Sequence, residues 1–164
     1  MIRVAIIGAG LAGLSLAHLL RDKVDVTLFE KARGVSGRMS TRRAEPYYFD
    51  HGAQYFTART KPFQKFIQPF INDGVIKRWL ARYAKFDDDR VVELKDWEND
   101  EARYVGSPAM NSFAKSLSID LTITLKTRIV SVYKENKWNL KDAEGCIHEG
   151  FDWVISTAPS PQTS

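Results

Sequence analysis

Three glycines near the N-terminus, in Gly8-Ala9-Gly10-Leu11-Ala12-Gly13, follow directly on the apolar, β-branched run Ile2-Arg3-Val4-Ala5-Ile6-Ile7. Such a run reads as a strand buried on both faces. Beyond the glycines, Leu11, Leu14, Ala17 and Leu19 or Leu20 recur every three or four residues, which predicts a helix. Asp25-Val-Thr-Leu-Phe-Glu30 is strand-like again. Strand, glycine turn, helix and strand within thirty residues predict a βαβ unit.

The G-x-G-x-x-G spacing has a chemical reason in that context. Gly8 allows a tight turn, Gly10 lets backbone approach a pyrophosphate, and Gly13 lets the helix pack close to the sheet. The helix start offers free N–H groups and the positive end of its dipole to a diphosphate. Glu30, twenty residues after Gly10, stands where a carboxylate can accept hydrogen bonds from ribose hydroxyls. The turn by itself does not separate NAD from FAD.

After Thr60 the pattern changes. Phe63, Phe66, Ile67, Phe70 and Ile71 predict a helix that Pro69 should kink or break. The charged stretch from Tyr83 to Glu101 reads as short strands and loops. Ser107 as N-cap and Pro108 at the first helical position predict a second helix, with Met110, Phe113, Ala114 and Leu117 on one face. Strands are expected over 121–125, 128–134, 137–141 and 152–157, with turns at Glu135-Asn136 and Asp142-Ala143-Glu144-Gly145 making a meander of the middle ones.

Composition narrows the classes. A chain of 164 residues with 44% hydrophobic and 27% charged residues suits one ordinary globular domain. No apolar run reaches the ~18 residues of a membrane helix, and the N-terminus has no secretory pattern. Cys146 is the one cysteine, so neither an internal disulfide nor a cysteine-based metal site is available. No metal site is expected, and the reading is a reduced, cytoplasmic protein. Of the +4 net charge, all lies in the first third: Lys31, Arg33, Arg38, Arg42 and Arg43 fall within thirteen residues free of acids. Without a nucleic-acid-binding module, this cluster beside a glycine turn fits a small phosphorylated ligand better than nucleic acid. Arg42 and Arg43 either steer an anionic substrate or pair with surface carboxylates.

The next blocks are Gly37-Arg38, seven residues after Glu30, and Gly52-Ala53-Gln54-Tyr55. Tyr104-Val-Gly-Ser-Pro-Ala-Met110 and Val154-Ile-Ser-Thr-Ala-Pro159 follow later. Together with the glycine turn, these resemble the renalase-like branch of the flavin-containing amine oxidase superfamily over nearly the whole chain. The resemblance implies an α/β fold: a Rossmann-like FAD/NAD(P)-binding βαβ domain, an attached β-meander and part of a discontinuous α+β substrate domain. Residues 1–60 would hold the βαβ unit and Gly-Arg segment, 61–104 the partial substrate domain, and 105–164 the return to the FAD domain. The family's later substrate segment and flavin-covering stretch have no counterpart, which implies an N-terminal portion, inactive alone and open to self-association.

The implied cofactor is FAD. Carried over by motif, Gly8, Gly10, Leu11, Ala12 and Gly13 would meet the diphosphate, and Glu30 the adenosine ribose. Arg38 would lie beside the diphosphate and ribityl chain, where a guanidinium gives charge-assisted contacts. Gly52, Ala53 and Gln54 would lie toward the flavin, and Ile129 would offer backbone to the adenine. Lys31, Gly37 and Met39 complete the set. Ser36 stands where the family usually has a second glycine, which implies less unusual backbone geometry there. A flavin does its own redox chemistry, so no catalytic residue is assigned. His51 could touch cofactor or substrate, His18 reads as structural, and His148 as exposed. Trp79, Trp97, Trp138 and Trp153 read as scattered core residues.

The implied activity is oxidation of a dihydronicotinamide dinucleotide or an amine, with oxygen accepting the electrons. A non-catalytic dinucleotide-binding module and an NAD(P)-dependent dehydrogenase stand as alternatives. The Gly37-Arg38 segment argues against the dehydrogenase.

Overall fold

A computed structural model describes residues 1–97 and 101–159. Along the chain, β1 (Arg3–Ile7), α1 (Leu11–Leu20) and β2 (Asp25–Phe29) come first. A hairpin of β3 (Thr41–Ala44) and β4 (Tyr47–Asp50) is followed by β5 (Phe56–Thr57), α2 (Lys61–Asn72) and β6 (Ile76–Arg78). Then come β7 (Arg82–Asp87), β8 (Arg90–Asp96), β9 (Arg103–Gly106) and α3 (Asn111–Leu117). The last strands are β10 (Thr122–Thr124), β11 (Ile129–Lys134), β12 (Trp138–Asp142), β13 (Ile147–Phe151) and β14 (Trp153–Ser156). The chain divides into two units, Met1–Ser40 with Ala114–Ser164, and Thr41–Phe113.

The first unit is built on a parallel sheet of order β10-β2-β1-β14. Val4, Ala5 and Ile6 of β1 are all buried, because a central parallel strand is covered on both faces. α1 turns Gly13, Leu14 and Ala17 inward. The meander is antiparallel, in the order β11-β12-β13. Its third strand, Ile147–Phe151, lies outside the strand ranges expected from the sequence, because charged residues and glycine blur its alternation. Phe151 and Leu140 pack with Ala5 and Phe29, flanked by Ile7, Ile129, Trp138 and Val154, so meander and parallel sheet share one apolar layer.

The second unit is held by aromatic packing. Phe113 lies 5.0 Å from Phe70 and 5.9 Å from Phe56 between ring centroids, and Phe56 stacks on Tyr104 at 5.8 Å. Two expectations change here. Of the kink or break expected at Pro69, the break does not occur: α2 runs from Lys61 to Asn72. Proline in the last turn removes only its own N–H, and its carbonyl still accepts from Asp73 at 3.0 Å.

The second helix starts at Asn111 rather than after Ser107. Ser107 instead continues the β9 edge, its N–H donating to Val75 O at 2.8 Å, and the Ser107–Pro108 peptide is cis. The first N–H groups of α3 find partners far away in sequence. Met110 donates to Asp50 Oδ1 at 3.1 Å and Asn111 to Thr41 Oγ1 at 3.4 Å.

Candidate functional site

The glycine turn is packed from three sides. Gly8 has φ +103°, in the region that disfavours side chains, and a Cβ there would come within 2.9 Å of Thr157 Oγ1. At Gly13 a Cβ would lie 2.0 Å from the Gly8 carbonyl oxygen. Thr157 lies just past β14, where its Oγ1 reaches the carbonyls of Ile7 (3.0 Å) and Gly8 (3.1 Å). Sequence reasoning gave Thr157 no role of its own, although it lies in the 154–159 block. The parallel pairing of β14 with β1 brings it there.

Glu30 closes the turn. Its side chain is only 8% exposed, and each carboxylate oxygen accepts a backbone N–H: Oε2 from Ala9 and Oε1 from Ala32, both at 2.8 Å. An ionised carboxylate has about four acceptor positions, so room remains on both oxygens. The main chain around it is tied down as well. Glu30 N donates to Thr124 O, and Glu30 O accepts from Thr127, each at 2.9 Å. Lys126 N donates to Ala32 O at 2.9 Å. These bonds seat residues 124–127, and hence the start of β11 at Ile129, beside the end of β2.

The loop after Glu30 folds back onto the turn. Ser36 N–H donates to Ala9 O at 2.9 Å, and Gly10 and Ser36 form an isolated parallel bridge. A Cβ on Gly37 would come within 3.1 Å of Gly10 Cα. Ser36 corrects an expectation: its φ is +111°, as unusual as a glycine's, and it is 1% exposed. Its Oγ donates to Met39 O, so two hydrogen bonds hold the serine in a conformation its Cβ disfavours.

The implied contact residues thus divide. Gly8, Gly10, Leu11, Ala12, Gly13, Glu30 and Gly37 cluster around the turn, with Ile129 following the segment tied to Glu30. Met39 is buried, whereas Lys31 and Arg38 are exposed. Gly52, Ala53 and Gln54 belong to the second unit, where Gly52 and Gln54 are exposed.

His148 is not exposed as expected. It bonds Asp142 Oδ2 through Nε2 at 2.9 Å and lies 4.8 Å from the Phe29 ring. That bond, with the N–H groups of Cys146 and Glu144 on Oδ1, holds the Asp142 carboxyl below its ordinary range. The tryptophans are not scattered either: Trp79 and Trp97 meet at 4.7 Å, while Trp138 joins the apolar layer and Trp153 is exposed.

The turn fits a dinucleotide on its own geometry. Gly8 and Gly13 stand where a Cβ would strike Thr157 or backbone, and the N-cap of α1, Gly10, offers no side chain to occupy the first N–H groups. Comparison with known proteins agrees. The family of NAD(P)-binding Rossmann-like domains matches residues 6–70. Renalase of Mus musculus is 30% identical over 176 aligned positions, covering 99% of this chain and 48% of renalase. This chain resembles renalase over nearly its whole length.

The renalase match therefore takes in every segment that builds the turn, from Gly8 through Glu30 to Thr157, and the chain spans about half of that relative's length. Acetone monooxygenase (methyl acetate-forming) of Gordonia sp. is 29% identical over 86% of this chain and 22% of that enzyme. Among solved structures, one assigned as a protoporphyrinogen oxidase of Exiguobacterium superposes with TM-score 0.71 at 13% identity, over 99% of this chain and 60% of that one. One assigned as an FAD-containing monooxygenase of Photorhabdus luminescens gives 0.63 at 19%, over 98% and 40%. These two likenesses bear on fold, which is Rossmann-like α/β with added antiparallel sheets. No helix among the described residues is long and apolar enough to cross a membrane.

Proposed function

We propose that this chain binds FAD and forms the cofactor-binding portion of a renalase-like oxidoreductase. The observation that carries the reading is the Glu30 carboxylate, which braces the glycine turn and keeps acceptor positions spare where ribose hydroxyls would come. The backbone of Gly8 to Gly13 and the start of α1 hold the diphosphate, with Arg38 and Lys31 as exposed cations nearby in sequence. Gly37 gives the close approach to Gly10, and buried Met39 seats the loop that carries Arg38. Ile129 offers backbone to the adenine, while Gly52, Ala53 and Gln54 serve the flavin end. When bound, FAD supplies the redox chemistry. The substrate is a dihydronicotinamide dinucleotide or an amine, and oxygen is the electron acceptor.

The description of the matching family names NAD(P), which supports a dehydrogenase as the second reading. One experiment separates the two. The chain is purified, given FAD or NAD(P), desalted and examined by absorption spectroscopy, and the released ligand is identified by mass spectrometry. Flavin bands with FAD in the released fraction are expected. A colourless protein that retains NAD(P) overturns the proposal.

A further inference from the structure

The second unit holds a cation for which the flavin reading has no use. Arg103 opens β9, facing Thr57 of β5 in the sheet register, and its carbonyl accepts the Trp79 N–H at 2.8 Å. Trp97 N–H donates in turn to Ala81 O at 3.0 Å. Those two backbone bonds bring both tryptophans to the arginine. The guanidinium carbon lies 4.3 Å from the centre of the Trp97 ring and 5.6 Å from that of Tyr55. Tyr55 also lies 5.3 Å from Trp97 and 6.1 Å from Trp79, so two rings face the charge and Trp79 packs against them.

Among the described residues, the charge lacks an anion. Arg103 Nε is shut off from water and has no hydrogen-bond partner, and among the described residues no carboxylate pairs with the guanidinium. Glu101, two residues earlier, bonds Arg59 instead. Ring faces attract a cation but cannot neutralise it or take up a fork of N–H donors. A half-buried guanidinium is ordinarily paired, and an unsatisfied buried donor calls for a partner. Tyr55 and Trp79 meanwhile keep 40% and 38% of their surface open.

We propose that Arg103, faced by Trp97 and Tyr55 with Trp79 packed against both rings, is a binding site for a planar aromatic carboxylate. Arginine suits this ligand because its planar fork matches a carboxylate in two parallel hydrogen bonds. The open aromatic surfaces suit a flat ring attached to that carboxylate. The site is read from these four residues of the second unit and not from FAD binding.

The test titrates the purified full chain, without flavin, with nicotinate and with nicotinamide. These share a ring and differ in charge. Fluorescence of Trp79 and Trp97 is the readout. Nicotinate is expected to quench saturably and to bind about tenfold or more tightly than nicotinamide, the loss of one charge-assisted contact. Arg103→Met should abolish the saturable phase, and Arg103→Lys should weaken it about tenfold, keeping the charge without the fork. Equal binding of nicotinate and nicotinamide, or nicotinate binding unchanged in Arg103→Met, overturns the site. Inorganic phosphate displacing nicotinate at matching concentration overturns the planar-carboxylate class. The comparison of the two pyridines uses the unaltered chain, so it stands even where a variant fails to fold.

Discussion

Glu30 Oε2 accepts the Ala9 N–H at 2.8 Å, which makes the acid at the end of β2 a strut of the glycine turn. Its other oxygen accepts from Ala32, so one side chain fixes the turn and the loop that follows. Removing it leaves two backbone N–H groups without their acceptor. A hydrogen bond to a charged group contributes about 1.5–3 kcal/mol. Glu30→Ala should therefore lose at least that much stability with no cofactor present, and Glu30→Gln, which keeps one acceptor oxygen, should lose less. Urea denaturation of the flavin-free chain measures both. An unchanged midpoint in Glu30→Ala would confine the residue to ligand contact.

The glycines of the turn should fail in different ways. A methyl at Gly13 lands 2.0 Å from backbone that cannot move without dismantling β1 and α1. Gly13→Ala should cost about 4 kcal/mol or more, enough to remove the folded state. Gly10 has φ −78°, and its Cβ would meet only Gly37 Cα at 3.9 Å, an ordinary contact. Gly10→Ala should fold normally yet bind FAD about tenfold or more weakly, because the methyl occupies the approach to the diphosphate. Circular dichroism and FAD titration together check the pair. Normal FAD affinity in Gly10→Ala would place the diphosphate elsewhere.

Ser36 sets two effects against each other. A positive φ costs a non-glycine residue about 1–3 kcal/mol, whereas its Oγ bond to Met39 O returns about 0.5–1.5 kcal/mol. Ser36→Gly sheds the strain along with the bond, and Ser36→Ala keeps the strain and loses the bond. Ser36→Gly should therefore be the more stable of the two variants. Thermal melts give the order, and an alanine variant as stable as the glycine one would show that φ +111° carries no strain here.

The βαβ unit was legible because its information is local. Six turn residues, an apolar run on each side and one acid at a fixed distance specify it with little help from the rest of the chain. The Glu30 role was legible only in part. Its spacing points to a ribose, but the bonds to Ala9 and Ala32 depend on where the turn and the following loop lie in space. Thr157, the Thr41 and Asp50 partners of α3, and the meeting of Trp79 and Trp97 were hidden for a similar reason. Each contact joins residues well separated in sequence, and neither periodicity nor motif spacing records it. The helix start at Ser107 was misread because a good cap and a proline also suit a strand edge whose N–H is already taken by Val75.

The Asp142 carboxyl makes stability depend on acid in a definite direction. Its side chain bonds His148 and accepts from Cys146 and Glu144, and these bonds favour the ionised form. The folded value therefore lies below the unfolded one, which is about 3.9. A carboxyl depressed in this sense stabilises the fold fully above the unfolded value, and the contribution fades as pH falls through the folded value. Asp142→Asn preserves the shape and an oxygen for the backbone donors, but it cannot ionise. Asp152 is depressed too, by the Arg3 N–H and Lys137, but it is present in both proteins and cancels in the comparison. Urea midpoints of the two chains, measured from neutral pH into acid, should lie well apart above about pH 5 and draw together as pH falls through the folded value. A gap that held constant through the acid range would mean that the charge on Asp142 contributes nothing and that the side chain serves the β12–β13 turn by shape alone.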